Sequence, residues 1–293
     1  MECTNKRTVY LVFNEKEKKN YIRFGKIEKD DEFIKRIEVP CGQCMTCRMK
    51  RSFELKNKIL SHQDTHRNEE AYFITLTYAE EKTELDKRDL QLFLKKLRKE
   101  QKEKISYVAT GEYGEISQRP HYHIIIFNLI LTDLKKYKET NGIKHYISKY
   151  LDEKWNLGIH DIEKIHEQNI SYISKYTIKK ITGANQNKNK APEFILQSKD
   201  IGRASYEKYK SDMIENNNVL INKKWIHPLK YHKQKISREN KEAYELIKEH
   251  NQIYQETISP RLTYDEKKEK WIFEREKEKR IWYENQRKKQ NKI

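Results

Sequence analysis

The segment Arg119-Pro120-His121-Tyr122-His123-Ile124-Ile125-Ile126-Phe127 sets two histidines two residues apart at the head of an apolar, β-branched run. Alternate side chains of a strand share a face, so His121 and His123 point the same way and can reach one metal ion. The other reading of such a pair is two strand histidines satisfied by acids or water. A divalent ion needs more than two ligands, and in an antiparallel sheet the third comes from a neighbouring strand. Glu112 ends the preceding candidate strand, in phase with Val108 and Thr110 and opposite Ile105, Tyr107 and Ala109. Glu115, in the connection, is the other acid within reach. Two imidazoles and a carboxylate suit Mn²⁺ or Mg²⁺ with positions left open for water or a phosphate oxygen. Such an ion polarises a phosphoryl oxygen as a Lewis acid.

A second chemistry-bearing pattern is the pentapeptide Tyr-Ile-Ser-Lys-Tyr, present at 146–150 and again at 172–176. Read as helix, the tyrosines of each copy lie four apart on one face. Around the first copy, Ile143, Ile147 and Leu151 make the apolar stripe, and Tyr146 and Tyr150 flank it as packing residues. Around the second, Ile170, Ile173, Thr177 and Ile181 make the stripe, and Tyr172 and Tyr176 point away from it toward a substrate. A phenol is a poor nucleophile at its ordinary pKa near ~10, and a nearby cation or metal-bound phosphate assists its attack. Lys175, Lys179 and Lys180 can supply that field or hold phosphates; Lys179 is the lysine placed in the catalytic set. The competing reading is a tyrosine pair that merely contacts nucleic acid.

Cys41, Cys44 and Cys47 follow one another with two-residue gaps, and Cys3 can complete a four-thiolate set for structural zinc. A second set, Cys44, Cys47, His62 and His66, also has zinc-finger spacing. Against it, Arg48 to His66 reads as one basic helix without the hairpin of a finger. The third reading is reduced, unliganded thiols.

The elements that must hold these groups are legible in outline. Residues 1–40 read as strands or extended structure, and Tyr72–Tyr78 as a strand. Asp86 is an N-cap before Leu90, Phe93, Leu94 and Leu97, so 87–102 reads as an amphipathic helix. Ile105–Glu112 is the next strand, followed by the histidine strand. Residues 132–155 read mostly as helix, Gly158 to about Ile165 as a short strand, and Ile170–Ile181 as a helix closed by Gly183. The expected fold class is α+β: a central antiparallel sheet flanked by helices, with a basic helical C-terminal region. The expected segments are an N-terminal cysteine-containing basic stretch (1–68), a core domain (69–185), a linker and accessory segment (186–234) and a basic helical extension (235–293). The extension interleaves Trp271, Phe273, Trp282 and Tyr283 with Lys and Glu; it reads as a solvated helix, a DNA-binding arm or an oligomer contact.

Hydrophobic residues make up 35% of the 293 and charged residues 37%, with a net charge of +17. That balance points to a polyanionic partner, nucleic acid first, although a chain rich in Lys, Asn, Ile, Tyr and Glu also reflects A/T-rich codons. No apolar run approaches the about 18 residues of a membrane span, and the N-terminus has no signal-peptide stretch. Four cysteines make no disulfide framework, so a reducing, intracellular setting is expected.

In order, the chain carries Phe-x-Thr-Leu-Thr-Tyr (73–78), Gly-Glu-Tyr-Gly (111–114), Arg-Pro-His-Tyr-His (119–123) and Tyr-x-x-Lys-Tyr with Lys-Lys (172–180). This set resembles the HUH endonucleases that initiate rolling-circle replication, in particular those of the gokushovirus branch of the Microviridae. The Pro40–Arg48 segment is similar to that branch's N-terminal signature, and the likeness covers roughly 38–210. The resemblance implies an RRM-like palm, His121 and His123 as metal ligands with Glu112 as the acid, and Tyr172 and Tyr176 as the nucleophile pair. It implies nicking of single-stranded origin DNA by transesterification, a 5′-phosphotyrosine, and a 3′-OH that primes a host polymerase in the bacterial cytoplasm. The second tyrosine would release and rejoin the strand. No G-x-x-x-x-G-K-[S/T] loop is visible, so strand separation is expected from a host helicase. Two alternatives stay open: a non-catalytic single-stranded nucleic-acid-binding module, with Tyr72, Tyr78 and Tyr107 stacking bases, and a transposase or relaxase of the same chemistry.

Overall fold

The computed structural model describes residues 3–65, 70–114, 117–179 and 190–258, and only the backbone of 178–179 and 250–258. The N-terminal strands β1 (Arg7–Asn14), β2 (Lys19–Arg23) and β3 (Asp31–Val39) pair antiparallel in the order β2-β1-β3. Asp31 pins this small sheet. Its carboxylate accepts from Arg23 Nε at 2.7 Å and from Asn14 Nδ2 at 2.8 Å. These hydrogen bonds, Arg23 foremost, hold its pKa down at about 2. Helix α1 (Met45–Gln63) follows.

The main sheet is built around β6 (Pro120–Phe127), whose Ile and Phe run is buried on both faces. Flanking it are β4 (Tyr72–Tyr78) and β5 (Ser106–Tyr113), both antiparallel to it. Helix α2 (Lys87–Glu100) lies between β4 and β5 in sequence. Beyond β6 come β7 (Lys135–Thr140), β8 (Ile143–Ile147), helix α3 (Lys149–Lys154), β9 (Gly158–Lys164) and helix α4 (Glu167–Lys179). With β10 (Phe194–Gln197) the sheet has seven strands in the order β10-β5-β6-β4-β9-β8-β7, every pairing antiparallel. The expected α+β class with a central antiparallel sheet is observed. The stretch 186–234 reaches back to this sheet, because β10 pairs with β5.

Residues 132–155 correct the sequence reading. They form the β7–β8 hairpin and short α3, not one helix. Thr140 pairs with Ile143 across Asn141-Gly142, whose φ values of +50° and +78° make the two-residue turn that Asn-Gly favours. β7 forms the outer edge of the sheet; all six residues are exposed, Lys135, Lys136 and Lys138 among them. Tyr146 and Tyr150 do pack against the core, as expected, one from β8 and one from α3.

The sheet faces differ in content. One presents Tyr72, Ile74, Leu76, Tyr122, Ile124, Ile126 and Ile162 to α2 and α3, where Leu90, Phe93, Leu94, Leu97 and Trp155 complete the core. Each such buried side chain contributes about 1.5–3 kcal/mol of transfer free energy. Asp86 caps α2 by accepting from Arg88 N at 2.7 Å. The other face carries His121, His123, Ile125 and Phe127 of β6. α1 covers its apolar end, where His62 packs edge-on against Phe127 with centroids 4.7 Å apart. α4 packs against α1 and over β5 and β6.

Two compact units account for the chain, one being Met1–Lys208 with Leu220–Trp225. The other comprises Tyr209–Val219 and Ile226 onward. In it α6 (Lys230–Glu239) packs on α7 (Lys241–Ile258), with Ile236, Ala243 and Ile247 buried. Helix α5 (Arg203–Glu215) is kinked at Tyr209, and β11 (Val219–Ile221) pairs with β12 (Lys224–Ile226). The expected aromatic stretch past 258 lies outside the described residues.

Candidate metal and tyrosine centre

Register brings the expected groups together. On β5, Glu112 sits directly opposite His121 of β6, and Thr110 opposite His123. On β4, Thr77 and Thr75 oppose the same two histidines from the other side. Period-two alternation therefore puts one carboxylate, two imidazoles and three hydroxyls on one face of three adjacent strands.

Oε1 of Glu112 is the hub. It lies 2.7 Å from His121 Nε2 and 2.8 Å from His123 Nε2. Tyr172 OH donates to the same oxygen at 2.6 Å and lies 3.3 Å from His123 Nε2. Tyr176 OH donates to Tyr172 OH at 2.7 Å. Burial alone would push the Glu112 carboxyl up, but the hydrogen bonds from His121 and His123 and the charge beside it bring it down to about 2. The two histidines diverge. Burial lowers His123, whereas for His121 burial is outweighed by the hydrogen bond and charge of Glu112, which raise it.

The distal ring nitrogens are held as well. His121 Nδ1 donates to the Arg119 carbonyl at 3.1 Å, and His123 Nδ1 meets Thr75 Oγ1 at 3.0 Å. A hydroxyl can donate or accept, so Thr75 serves either neutral tautomer of His123, including the one that leaves Nε2 free for an ion. Phe73 stacks on the His123 ring at 5.5 Å and 9°, and meets Tyr172 edge-on. Thr75, Phe73 and the Arg119 carbonyl were not picked out from sequence as part of the site. Their signal was present: Phe73, Thr75 and Thr77 alternate along the strand expected over Tyr72–Tyr78.

Glu112, His121 and His123 offer one donor atom each, mutually within 4.8 Å. Ligands about 2.1 Å from an ion and at right angles to each other lie about 3 Å apart. The 2.7 and 2.8 Å separations from Oε1 are close to that value, so these three residues fit a divalent cation. Carbonyl and hydroxyl partners on the far side of each ring are the usual support of metal-binding imidazoles.

The tyrosines depart from expectation in one respect. Tyr172 is 39% exposed, but Tyr176 is only 5% exposed. Helical phase in the sequence predicts both facing outward. α4 is covered on two sides, by the sheet and by α1, so its polar stripe is partly enclosed along with Ile170 and Ile173. α4 runs through Lys179, but the Lys179 side chain lies outside the described residues, as do Glu115, His66, Lys180, Ile181 and Gly183.

Another polar group, unforeseen from sequence, continues the same face onto β8 and β9. His145 Nδ1 lies 2.7 Å from Asp161, which also accepts from Tyr137 OH at 2.9 Å. Glu163 accepts from Asn169 at 3.1 Å. Elsewhere, Cys3, Cys41, Cys44 and Cys47 converge within 4.8 Å. His62 is not among them: it is 1% exposed and its Nδ1 accepts from Gly202 N at 3.2 Å. The set built on Cys44, Cys47, His62 and His66 is thereby excluded, because His62 turns into the sheet.

Residues 71–181 match the family model of the ORF2-type replication-associated proteins. The chain is 30% identical over 212 residues to the replication-associated protein VP4 of Bdellovibrio phage phiMH2K, covering 68% of this chain and 60% of that protein. It is 30% identical over 214 residues to the replication-associated protein ORF2 of Spiroplasma virus 4, covering 67% and 66%. This chain belongs to the family of phage replication-associated proteins. A further member, ORF4 of Chlamydia phage 1, is 26% identical over 200 residues. The chain spans half to two thirds of the length of these curated relatives. No solved structure matches it. The replication-associated family domain runs from β4 through α4 and so contains Glu112, His121, His123, Tyr172 and Tyr176 together.

Proposed function

We propose that this replication-associated protein initiates rolling-circle replication by nicking and rejoining single-stranded origin DNA through a tyrosine nucleophile. The observation that carries the proposal is the 2.6 Å contact between Tyr172 OH and the carboxylate that also engages His121 and His123. On this reading the nucleophile and the cation site lie within one hydrogen bond of each other.

Tyr172 Oη attacks the scissile phosphorus. The Oη–P bond forms as the P–O3′ bond breaks, the phenol gives up its proton, and the 3′ oxygen gains one. The product is a 5′-phosphotyrosine and a free 3′-OH, which a host polymerase would extend on a strand opened by a host helicase. The ester bond energy is conserved in the phosphotyrosine, so no nucleotide cofactor is required for rejoining. Tyr176, one hydrogen bond behind, would attack the regenerated junction after a round of synthesis. Glu112, His121 and His123 would hold Mn²⁺ or Mg²⁺, which would polarise the scissile phosphate and favour the anionic phenolate. Two nitrogen donors among three weigh toward Mn²⁺. Lys175, exposed on α4, is available to phosphate, and Lys179 belongs to the same proposed set. The action takes place in the host cytoplasm; no described helix is long and apolar enough to cross a membrane.

Full-length protein incubated with Mn²⁺ and fragments of the phage's own single-stranded genome should yield a covalent protein–DNA adduct on a denaturing gel. Mass spectrometry should place the nucleotide on Tyr172 or Tyr176. An adduct that persists in the Tyr172→Phe/Tyr176→Phe double variant would refute the nucleophile assignment. Salt-sensitive, metal-independent binding without any adduct would instead favour a non-catalytic binding module.

A further inference from the structure

The four cysteines take no part in the proposed chemistry, yet the fold gathers every one of them. Cys3 lies before β1, Cys41 just after β3, Cys44 at the N-cap of α1 and Cys47 in its first turn. β1 and β3 pair from Arg7↔Val39, which brings Cys3 alongside Cys41. Cys3 Sγ lies 3.5 Å from Cys41 Sγ and 3.7 Å from Cys44 Sγ. These are not disulfide distances, which are near ~2.05 Å. They are those of tetrahedral thiolate ligation: at a Zn–S distance of about 2.3 Å, neighbouring sulfurs sit about 3.8 Å apart.

The surroundings are built for anionic sulfur. Three backbone amides point at the cluster: Cys41 N donates to Cys3 Sγ at 3.3 Å, and Gln43 N and Cys44 N donate to Cys41 Sγ at 3.4 and 3.2 Å. Gly42 takes a φ of +74°, which lets the Cys41–Cys44 turn fold its amides inward. The positive end of α1 meets the same cluster, and Arg51 Nη2 donates to Gly42 O at 3.0 Å, setting a cation over the turn. Four thiolates around Zn²⁺ carry a net double negative charge, which these groups offset.

We infer that Cys3, Cys41, Cys44 and Cys47 form a closed structural zinc site that clamps the ends of β1 and β3 to the first turn of α1. With four protein ligands there is no open position, so the ion is structural and distinct from the cation at Glu112. Its mechanical role follows from what α1 does next. Further along, α1 packs against the tyrosine helix α4, and Lys56 Nζ contacts Glu167 Oε1 at 2.6 Å. The zinc clamp therefore fixes the N-terminus of the helix that backs Tyr172 and Tyr176.

The test is metal analysis of the full-length protein, purified under reducing conditions without chelator. One zinc per chain is expected, retained in a His121→Asn/His123→Asn variant and lost in Cys44→Ser/Cys47→Ser. His62→Gln should also keep its zinc. Should the cysteine variant fail to fold, cobalt substitution of the unaltered chain gives an independent answer: thiolate-to-cobalt charge-transfer absorption with the intense visible bands of a tetrahedral site. Four titratable thiols with no zinc bound, a Cys–Cys disulfide in the mass spectrum, or zinc that survives in Cys44→Ser/Cys47→Ser would each overturn the inference.

Discussion

At the scale of single residues, one carboxylate oxygen organises the centre, and its neighbours predict unequal roles for groups that look equivalent in sequence. Tyr172 contacts Glu112 directly and is exposed, whereas Tyr176 donates to the Tyr172 hydroxyl and is enclosed. Tyr172→Phe should therefore abolish first-strand cleavage, while Tyr176→Phe should still cleave but fail to release and rejoin the strand. A gel assay that follows adduct and circular product separately distinguishes the two. Thr75 supports His123 from behind. Thr75→Val keeps the shape and removes the partner; Mn²⁺ affinity should fall about 10–100-fold by calorimetry, the usual effect of losing such support. His121, His123 and Glu112 were legible in sequence because strand period two is rigid and all three obey it. The enclosure of Tyr176 was not, since helical phase shows which residues share a stripe and not how many partners cover a helix.

At the scale of elements, the repeated pentapeptide is instructive. In the second copy Ser174 lies mid-helix and its hydroxyl donates to the Ile170 carbonyl. In the first, Ser148 is extended at φ −146° and caps α3 by accepting from Leu151 N at 3.2 Å. The same five residues end a strand and begin a helix in one place and continue a helix in the other, because tertiary context overrides propensity. The Asn141-Gly142 turn was the local signal for the hairpin, and the apolar spacing of Ile143, Ile147 and Leu151 masked it. Close approach of β9 to β4 rests on Gly158, where an added Cβ would meet Thr77 O at 2.1 Å and Ala79 N at 2.4 Å. Both are backbone atoms, so Gly158→Ala should destabilise the protein by about 3 kcal/mol, read as a lower denaturant midpoint. The N-terminal sheet carries a pH signature. Asp31 is held at about 2 against its ordinary 3.8, so its contribution is present above pH ~4 and is lost as pH falls toward ~2. Melting curves at stepped pH should show this acid-side loss in the unaltered chain and a flatter response in Asp31→Asn.

At the scale of the whole molecule, the +17 charge and the family domain point the same way, toward a polyanion. An open sheet of seven strands has two edges, and an edge is a template for further strands. On β7 that template carries Lys135, Lys136 and Lys138, all exposed to solvent. Even with Lys136 paired to Glu139, these ammonium groups should repel a second copy approaching this edge, over a range set by the Debye length, about 8 Å in physiological salt and about 3 Å at 1 M. Colloidal behaviour should follow. Dispersed in dilute buffer, the protein should begin to associate edge to edge in molar salt. Replacing the three lysines by threonine should bring that onset down to physiological ionic strength, visible as increased light scattering. On this prediction the lysines of β7 guard the solubility of the chain from the far rim of the sheet, away from its chemistry.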